Sequence, residues 1–436
     1  MATRRTTLAC FALLVLAGAL ARGENWPQWR GPFLNGSTTE TGLPSTLSTS
    51  ENVLWVVPMP GPGSATPIVW NDRVFMTSVD RQKKALVAIC LDANSGKPLW
   101  VRRIAPDRRL KTNNAACPSP VTDGKTVWFT FGTTDVVAFD FEGNDLWARN
   151  LEKDFGEIVL QYGYSSSPLL FKGRLYMLIM QSRDPRAWGR KDSRKGPLDS
   201  WLFALDPKTG EYLWKQKRNT DATGEAPETY NSPIPYDYGD RAEIIMVGGE
   251  YVTGHDAETG KEVWRWQFSP HNRKIWQRTV PSACCGDGLI YVVRPQHRPI
   301  YALKAGGKGT LTDDAIAWKF ADATPDVIMP LLYKGRLYSM DDKKRVMVCH
   351  DPKTGKVIWQ AKMGMGNVVR ASPTGADGKI YVINRSGEAM VLEAGDEFKV
   401  LSRTKIDEGP IHSTITAAQG KLFIRTARNL YCLGKK

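Results

Sequence analysis

Two adjacent cysteines, Cys284 and Cys285, are the first residues in the chain whose spacing suggests chemistry. A disulfide between neighbours strains the peptide that joins them. Aligned on the hairpin glycine that follows, the pair falls where other segments carry Leu169-Leu170, Val121-Thr122 and Leu331-Leu332. We therefore read it as two small apolar residues of an inner strand. A second set of residues comes just before each inner strand: Asn113 and Asn114, Gln161 and Tyr162, Glu228 and Tyr230, Trp276 to Arg278, Asp326, Asn367, Arg370 and His412. Asn, Glu and Asp in such a set could hold a calcium ion. Trp276 or Tyr162 could stack a flat ligand whose carboxylates Arg278 or Arg370 would meet. Tyr162, Trp276, Arg278, Asn367 and Arg370 are thus the candidate cofactor shell, and the alternative is a merely polar, hydrated opening. The third set is an insertion with Arg183, Arg186, Arg190, Lys191, Arg194 and Lys195 against Asp184 and Asp192, and with Trp188 among them. Cations so placed favour an acidic surface through contacts that weaken with salt. The competing reading is a solvated loop. No zinc-ligand spacing, nucleophile elbow, phosphate loop or metalloprotease helix is present.

These residues hang on a repeat. LDPKTGEYLW (Leu205–Trp214) reads as a strand end, a tight turn and the next strand. Asp206 caps the turn, Gly210 supplies backbone freedom and Trp214 is a large body to bury. The pattern recurs up to Trp100, Trp147, Trp264 and Trp359, with degraded copies at Trp318 and Leu401 and a lone Trp55 ahead of them. Between copies lies a second unit: small residue, proline, two apolar residues, a glycine or aspartate turn, and an aromatic-rich strand, as in SSPLLFKGRLYM from Ser166. Eight copies of each unit predict an all-β, eight-bladed β-propeller of four-stranded antiparallel blades. The tryptophans are expected in the core. Cys90, Cys349 and Cys432 share a repeat position with Ala138, Ala204 and Gly254, which demands a small residue. His255 and His350 hold the next position, with Leu91 and Leu205, and read as structural.

The last blade, from Ser413 to Leu433, lacks a tryptophan turn, so the strand around Trp55 should complete it and close the ring. Antiparallel order places the loops between second and third strands, and those between blades, on one face. The tight turns share the other. The basic insertion belongs to the loop-bearing face, where binding residues on a rigid scaffold concentrate.

Residues 1–23 read as a cleaved export signal, with Arg4 and Arg5 before an apolar run too short for a membrane helix. Residues 24–51 read as an extended segment in which Trp26 and Trp29 dock on the propeller, and 52–436 as the propeller itself. Loss of the signal lowers the formal charge from +14 to +11, as Arg4, Arg5 and Arg22 leave. With no arginine-rich arm or RNA-binding signature, a nucleic-acid partner is excluded. The reading is a periplasmic or secreted monomer without a transmembrane segment.

The spacing Ala204-Asp206-Thr209-Gly210-Trp214, repeated at Gly254–Trp264 and Cys349–Trp359, resembles the tryptophan-docking motif of the PQQ-like, or quinoprotein-type, propellers. That group includes PQQ-dependent alcohol dehydrogenases and the outer-membrane assembly scaffold BamB. The dehydrogenase branch implies a quinone with a calcium ion, a catalytic Asp, a stacking Trp and a vicinal cysteine pair. Cys284 and Cys285 depart from that pattern, because they fall within a strand. The scaffold branch implies a non-catalytic protein that binds another protein or an envelope polymer. We expect the latter, without a cofactor, and keep the PQQ-dependent dehydrogenase as the alternative. A surface polysaccharide binder using Trp188 is a third reading.

Overall fold

In a computed structural model of the protein, described for residues 23–108, 113–158, 160–182, 198–268, 277–294, 296, 298–406 and 409–435, each repeat forms one antiparallel sheet. There are eight such sheets. We number them as blades 1 to 8 and letter their strands A to D outward from the ring axis. Blade 3 shows the plan: Leu169–Phe171, Arg174–Ile179, Trp201–Leu205 and Tyr212–Lys217. Strands B and C are buried on both faces, as their unbroken apolar runs require, and strand D alternates with solvent.

The repeat position that demands a small residue now has a physical reason. It lies on strand C between an aromatic residue on B and the tryptophan on D. The rows are Phe75–Cys90–Trp100, Tyr176–Ala204–Trp214, Tyr291–Ala302–Trp318, Tyr338–Cys349–Trp359 and Phe423–Cys432–Trp55. In all five the two rings meet over the small residue at 5.9–6.0 Å between centroids. Blade 7 has Ser402 in place of the tryptophan, and there the middle residue grows to Val391. The thiols are thus packing elements, and burial pushes those of Cys90, Cys349 and Cys432 up to about 12.

Most of these tryptophans also join their blade to the next. The Trp55, Trp100, Trp147, Trp214 and Trp318 rings lie over Gly96, Gly143, Gly210, Gly260 and Gly355, where an added Cβ would come within 2.4–2.8 Å of the ring. Those glycines also have φ of 72–82°, so the position excludes side chains twice over. The indole N–H groups of Trp100, Trp147 and Trp318 donate to the next blade's Phe141, Pro207 and Pro352 carbonyls at 2.8–2.9 Å. Only Trp100, Trp264 and Trp318 of this column are buried. Trp55, Trp147, Trp214 and Trp359 are half-buried, which corrects the expectation of a uniform core position. The cause is their place on the outermost strand. Trp264 is the exception in direction: it donates to Glu243 Oε2 at 2.7 Å, and its strand carries a fifth, parallel strand, Gly309–Leu311.

The ring closes as the strand count predicts. Val53–Pro58 pairs antiparallel with Asn429–Gly434, Trp55 opposite Cys432. The segment before it crosses the tight-turn face, here called the base. Trp26 bridges to Val69, Pro27 O accepts Thr122 N–H, Gln28 Oε1 accepts Leu170 N–H, and Ser37 bridges to Gly375. Arg30, fully buried, donates to the carbonyls of Pro373, Asn35 and Pro330 at 3.0–3.2 Å. No helix among the described residues is long and apolar enough to cross a membrane.

Candidate functional site

The N-terminal segment turns the central channel into a cup. Its cavity of about 140 Å³ is lined by Trp29 and by residues that lead into each inner strand. The lower tier is Thr66, Ser119, Ser167, Ser232, Met329, Ser372 and Thr414. Backbone N–H groups of this tier donate to the hydroxyl of the next blade: Thr66 to Ser119, Ser119 to Ser167, Ser167 to Ser232 and Ser232 to Ser282, all at 2.8–2.9 Å. Met329 to Ser372 and Thr414 to Thr66 continue the ring at 3.1 and 3.2 Å. The small residues preceding each proline in the sequence are therefore seams between blades. The upper tier includes Ser64, Cys117, Tyr230, Arg370 and His412 and forms the mouth.

At the mouth, Tyr162, Arg278 and Arg370 are brought into one network. The Tyr162 ring is 5.6 Å from that of Tyr230 and 5.9 Å from the Arg278 guanidinium. Arg278 pairs with Asp326 at 3.5 Å and Arg370 with Asp342 at 2.8 Å, and the Asp326 N–H donates to Asp342 at 2.7 Å. Glu228 accepts the Tyr230 hydroxyl at 2.5 Å and the Gln161 N–H at 2.9 Å. Burial, and then the Glu228 charge, raise the Tyr230 hydroxyl well above its ordinary value. Asn367 stands apart: it is exposed and its side-chain oxygen accepts its own neighbour's N–H, from Val368 at 2.8 Å. Trp276 and the insertion bearing Arg183, Arg186, Trp188, Arg190, Lys191, Arg194 and Lys195 lie outside the described residues. The neck of the insertion is pinned at the mouth face, where Gln181 N–H donates to Ser200 Oγ at 3.1 Å and Ser200 N–H to Asn219 at 2.9 Å.

His412 lines the mouth beside two arginines. Partial burial, then the Arg385 and Arg370 guanidiniums, hold its imidazole down at about 4, so it is neutral at pH 7. Arg81, Lys84, Arg385 and Arg428 line a groove that continues from His412, and the sequence reading passed over them. Each sits in a short loop between strands B and C, without the length that marked the blade 3 insertion.

Among the described residues, the mouth carboxylates are not open to a calcium-bound quinone. A divalent cation of that kind needs several oxygens, carboxylates among them. Asp326 and Asp342 are already engaged by arginines and backbone N–H groups. Two amide oxygens, Gln161 Oε1 and Gln277 Oε1, are buried without a protein partner and can accept hydrogen bonds. Cys284 and Cys285 sit on adjacent positions of an inner strand, so their side chains point to opposite faces. Both are free thiols, and Cys284 is buried at the base beside Arg30, with burial pushing it to about 11.

Relatives agree with the architecture and divide over activity. The chain is 41% identical over 124 residues to the quinohemoprotein alcohol dehydrogenase ADH-IIG of Pseudomonas putida, a match covering 27% of this chain and 16% of that enzyme. It is 26% identical over 246 residues to ADH IIB of the same organism, covering 51% of this chain and 32% of the enzyme. The chain thus matches less than a third of the length of either relative. Among solved structures, BamB from Moraxella catarrhalis superposes with a TM-score of 0.60 at 12% identity, over 88% of this chain and 99% of that one. The quinohemoprotein alcohol dehydrogenase from Comamonas testosteroni gives 0.67 at 11% identity, over 94% and 81%. At such identities the likeness is one of fold. The sequence profile described as outer membrane protein assembly factor BamB matches residues 37–183, 248–396 and 342–433, well over half of the chain, and the protein belongs to that family of PQQ-like propellers.

Proposed function

We propose that the chain is an exported, non-catalytic propeller that binds a protein or envelope polymer through its mouth face. The observation that carries this reading is the pairing of Asp326 and Asp342 with Arg278 and Arg370, which leaves these mouth carboxylates engaged rather than open to a cation. The buried amide oxygens of Gln161 and Gln277 supply hydrogen-bond acceptors for a polar partner instead. Export rests on the signal-like residues 1–23, and the basic insertion Arg183–Lys195 is assigned to recognition because its neck rises from the mouth face. The chain from residue 24 onward, incubated with PQQ and calcium and passed through gel filtration, should elute without the quinone's absorbance. Stoichiometric co-elution of the quinone would establish the dehydrogenase reading in its place.

A further inference from the structure

A broad opening lies beside the cup. A groove of about 980 Å³ spans blades 7, 1 and 2 and the crossing into blade 8 on the mouth face, and runs into a second stretch of about 630 Å³ along blade 8. The two share Pro62, Ser64, Arg81, Asn114, Pro410 and His412, so they are one continuous depression. Its depth has a cause in the sequence Pro60-Gly61-Pro62-Gly63. A Cβ on Gly61 would lie 2.1 Å from Val79 O, and one on Gly63 would lie 2.9 Å from Thr77 O. Only glycine lets the crossing from blade 8 to blade 1 press this closely onto strand B. Val79 N–H donates to Pro62 O at 2.9 Å, and buried Arg425 donates to Gly61 O at 2.6 Å. The floor is therefore fixed in position by its own backbone.

The walls carry Arg81 and Lys84 from blade 1, Arg385 from blade 7 and Arg428 from blade 8, all exposed. Some exposed cations elsewhere on the surface are paired, as in Arg108–Glu152, Lys172–Asp237, Lys217–Asp199 and Lys399–Glu393. Around the groove the described lining holds a single carboxylate, Asp107, against four cations. Unneutralised charge of one sign around a concave, protein-walled cleft concentrates the field and draws in the opposite charge. Aliphatic surface from Pro58, Met59, Val79 and Pro410 separates these cations, whereas aromatic platforms for sugars or bases are missing from the described lining.

We infer that this groove docks an acidic peptide segment of a partner protein, aspartates and glutamates meeting the four cations and apolar side chains resting on the prolines. The inference rests on the protein-binding reading above and gives it a location and a ligand chemistry. The test is fluorescence anisotropy of the chain from residue 24 with a labelled peptide of alternating glutamate and valine, and with its glutamine counterpart. Arg81→Glu/Arg385→Glu reverses charge in the groove. Lys208→Glu/Lys353→Glu makes the same net change on exposed turns of the base. Thermal melts check that both variants fold. The acidic peptide should bind saturably and more weakly as salt rises, and the groove variant should lose about tenfold or more in affinity, equivalent to about 1.4 kcal/mol. The base variant should bind as the parent does, and the glutamine peptide should not bind. Equal losses in both variants, or equal binding of both peptides, would overturn the assignment. So would groove-dependent binding of polygalacturonate with none of the peptide. A chain that excludes the quinone but ignores acidic peptides refutes the groove alone and leaves the non-catalytic reading standing.

Discussion

At the base of the ring, Arg30 is fully buried and its two terminal nitrogens donate to three backbone carbonyls from three parts of the chain, while its Nε has no partner. At the mouth, Arg81, Lys84, Arg385 and Arg428 stand in solvent around a groove whose described lining offers one carboxylate. The same kind of residue serves closure on one face and leaves hydrogen-bonding capacity open on the other. Burial lowers Arg30 to about 10, still charged at neutral pH, so its cost is offset only while the carbonyls stay in place. The base is thus committed to stability, and the mouth is free to vary. Substitutions can test this division.

The largest effect should come from Arg30→Ala, which strands three buried carbonyls. Chemical denaturation should show a loss of about 3–5 kcal/mol, since each unsatisfied buried acceptor costs roughly 1–3 kcal/mol. A loss under about 1 kcal/mol would mean that the base segment is not locked. Next comes Trp214→Ala, which removes a half-buried ring from over Gly260. It should cost about 3 kcal/mol. Leu213→Ala, next along the same strand but 47% exposed, should cost under about 0.5 kcal/mol. Equal losses would contradict the blade-joining role of the tryptophan.

Much of this division is legible in the sequence. The tryptophan turns fix blade number, and the missing last turn assigns Trp55 to the closing blade, as its pairing with Cys432 shows. The small-residue position is visible as a pattern, but its reason is not. That Phe75 and Trp100 meet across Cys90 depends on lateral register between strands, which no single segment reveals. The mouth is legible as a face and only partly as a network. Tyr162, Arg278 and Arg370 do converge, because they occupy equivalent crossings between blades. Their dependence on Asp342 escapes the sequence reading, because Asp342 sits in a B–C turn of another blade position. Trp29 reads as a docking residue, but its role as part of the cup wall depends on how far the segment reaches across the base.

A pH-dependent effect, absent near neutrality, belongs to the buried histidines His255 and His350. Burial lowers His255 and His350 to about 4, against an ordinary value near 6.5. Between those values the unfolded chain takes up protons that the native state refuses, so stability falls as pH drops through about 6.5 toward 4, by up to roughly 3 kcal/mol per histidine. Above that window these two groups contribute no slope. His255→Leu/His350→Leu installs the residue found at Leu91 and Leu205 and should flatten that part of a stability–pH curve. An unchanged slope would place the acid sensitivity elsewhere. Smallest of all, Asn367→Ala at the exposed mouth should change stability by less than about 0.5 kcal/mol.

The division between a sealed base and a binding mouth is tested most directly by lysine footprinting of the chain with and without envelope extract. Lys84 lines the mouth groove, whereas Lys208 and Lys353 lie on exposed turns of the base. The account expects bound material to protect Lys84 from acylation and to leave Lys208 and Lys353 as reactive as in the free chain. Protection of the base lysines with Lys84 unchanged would contradict it.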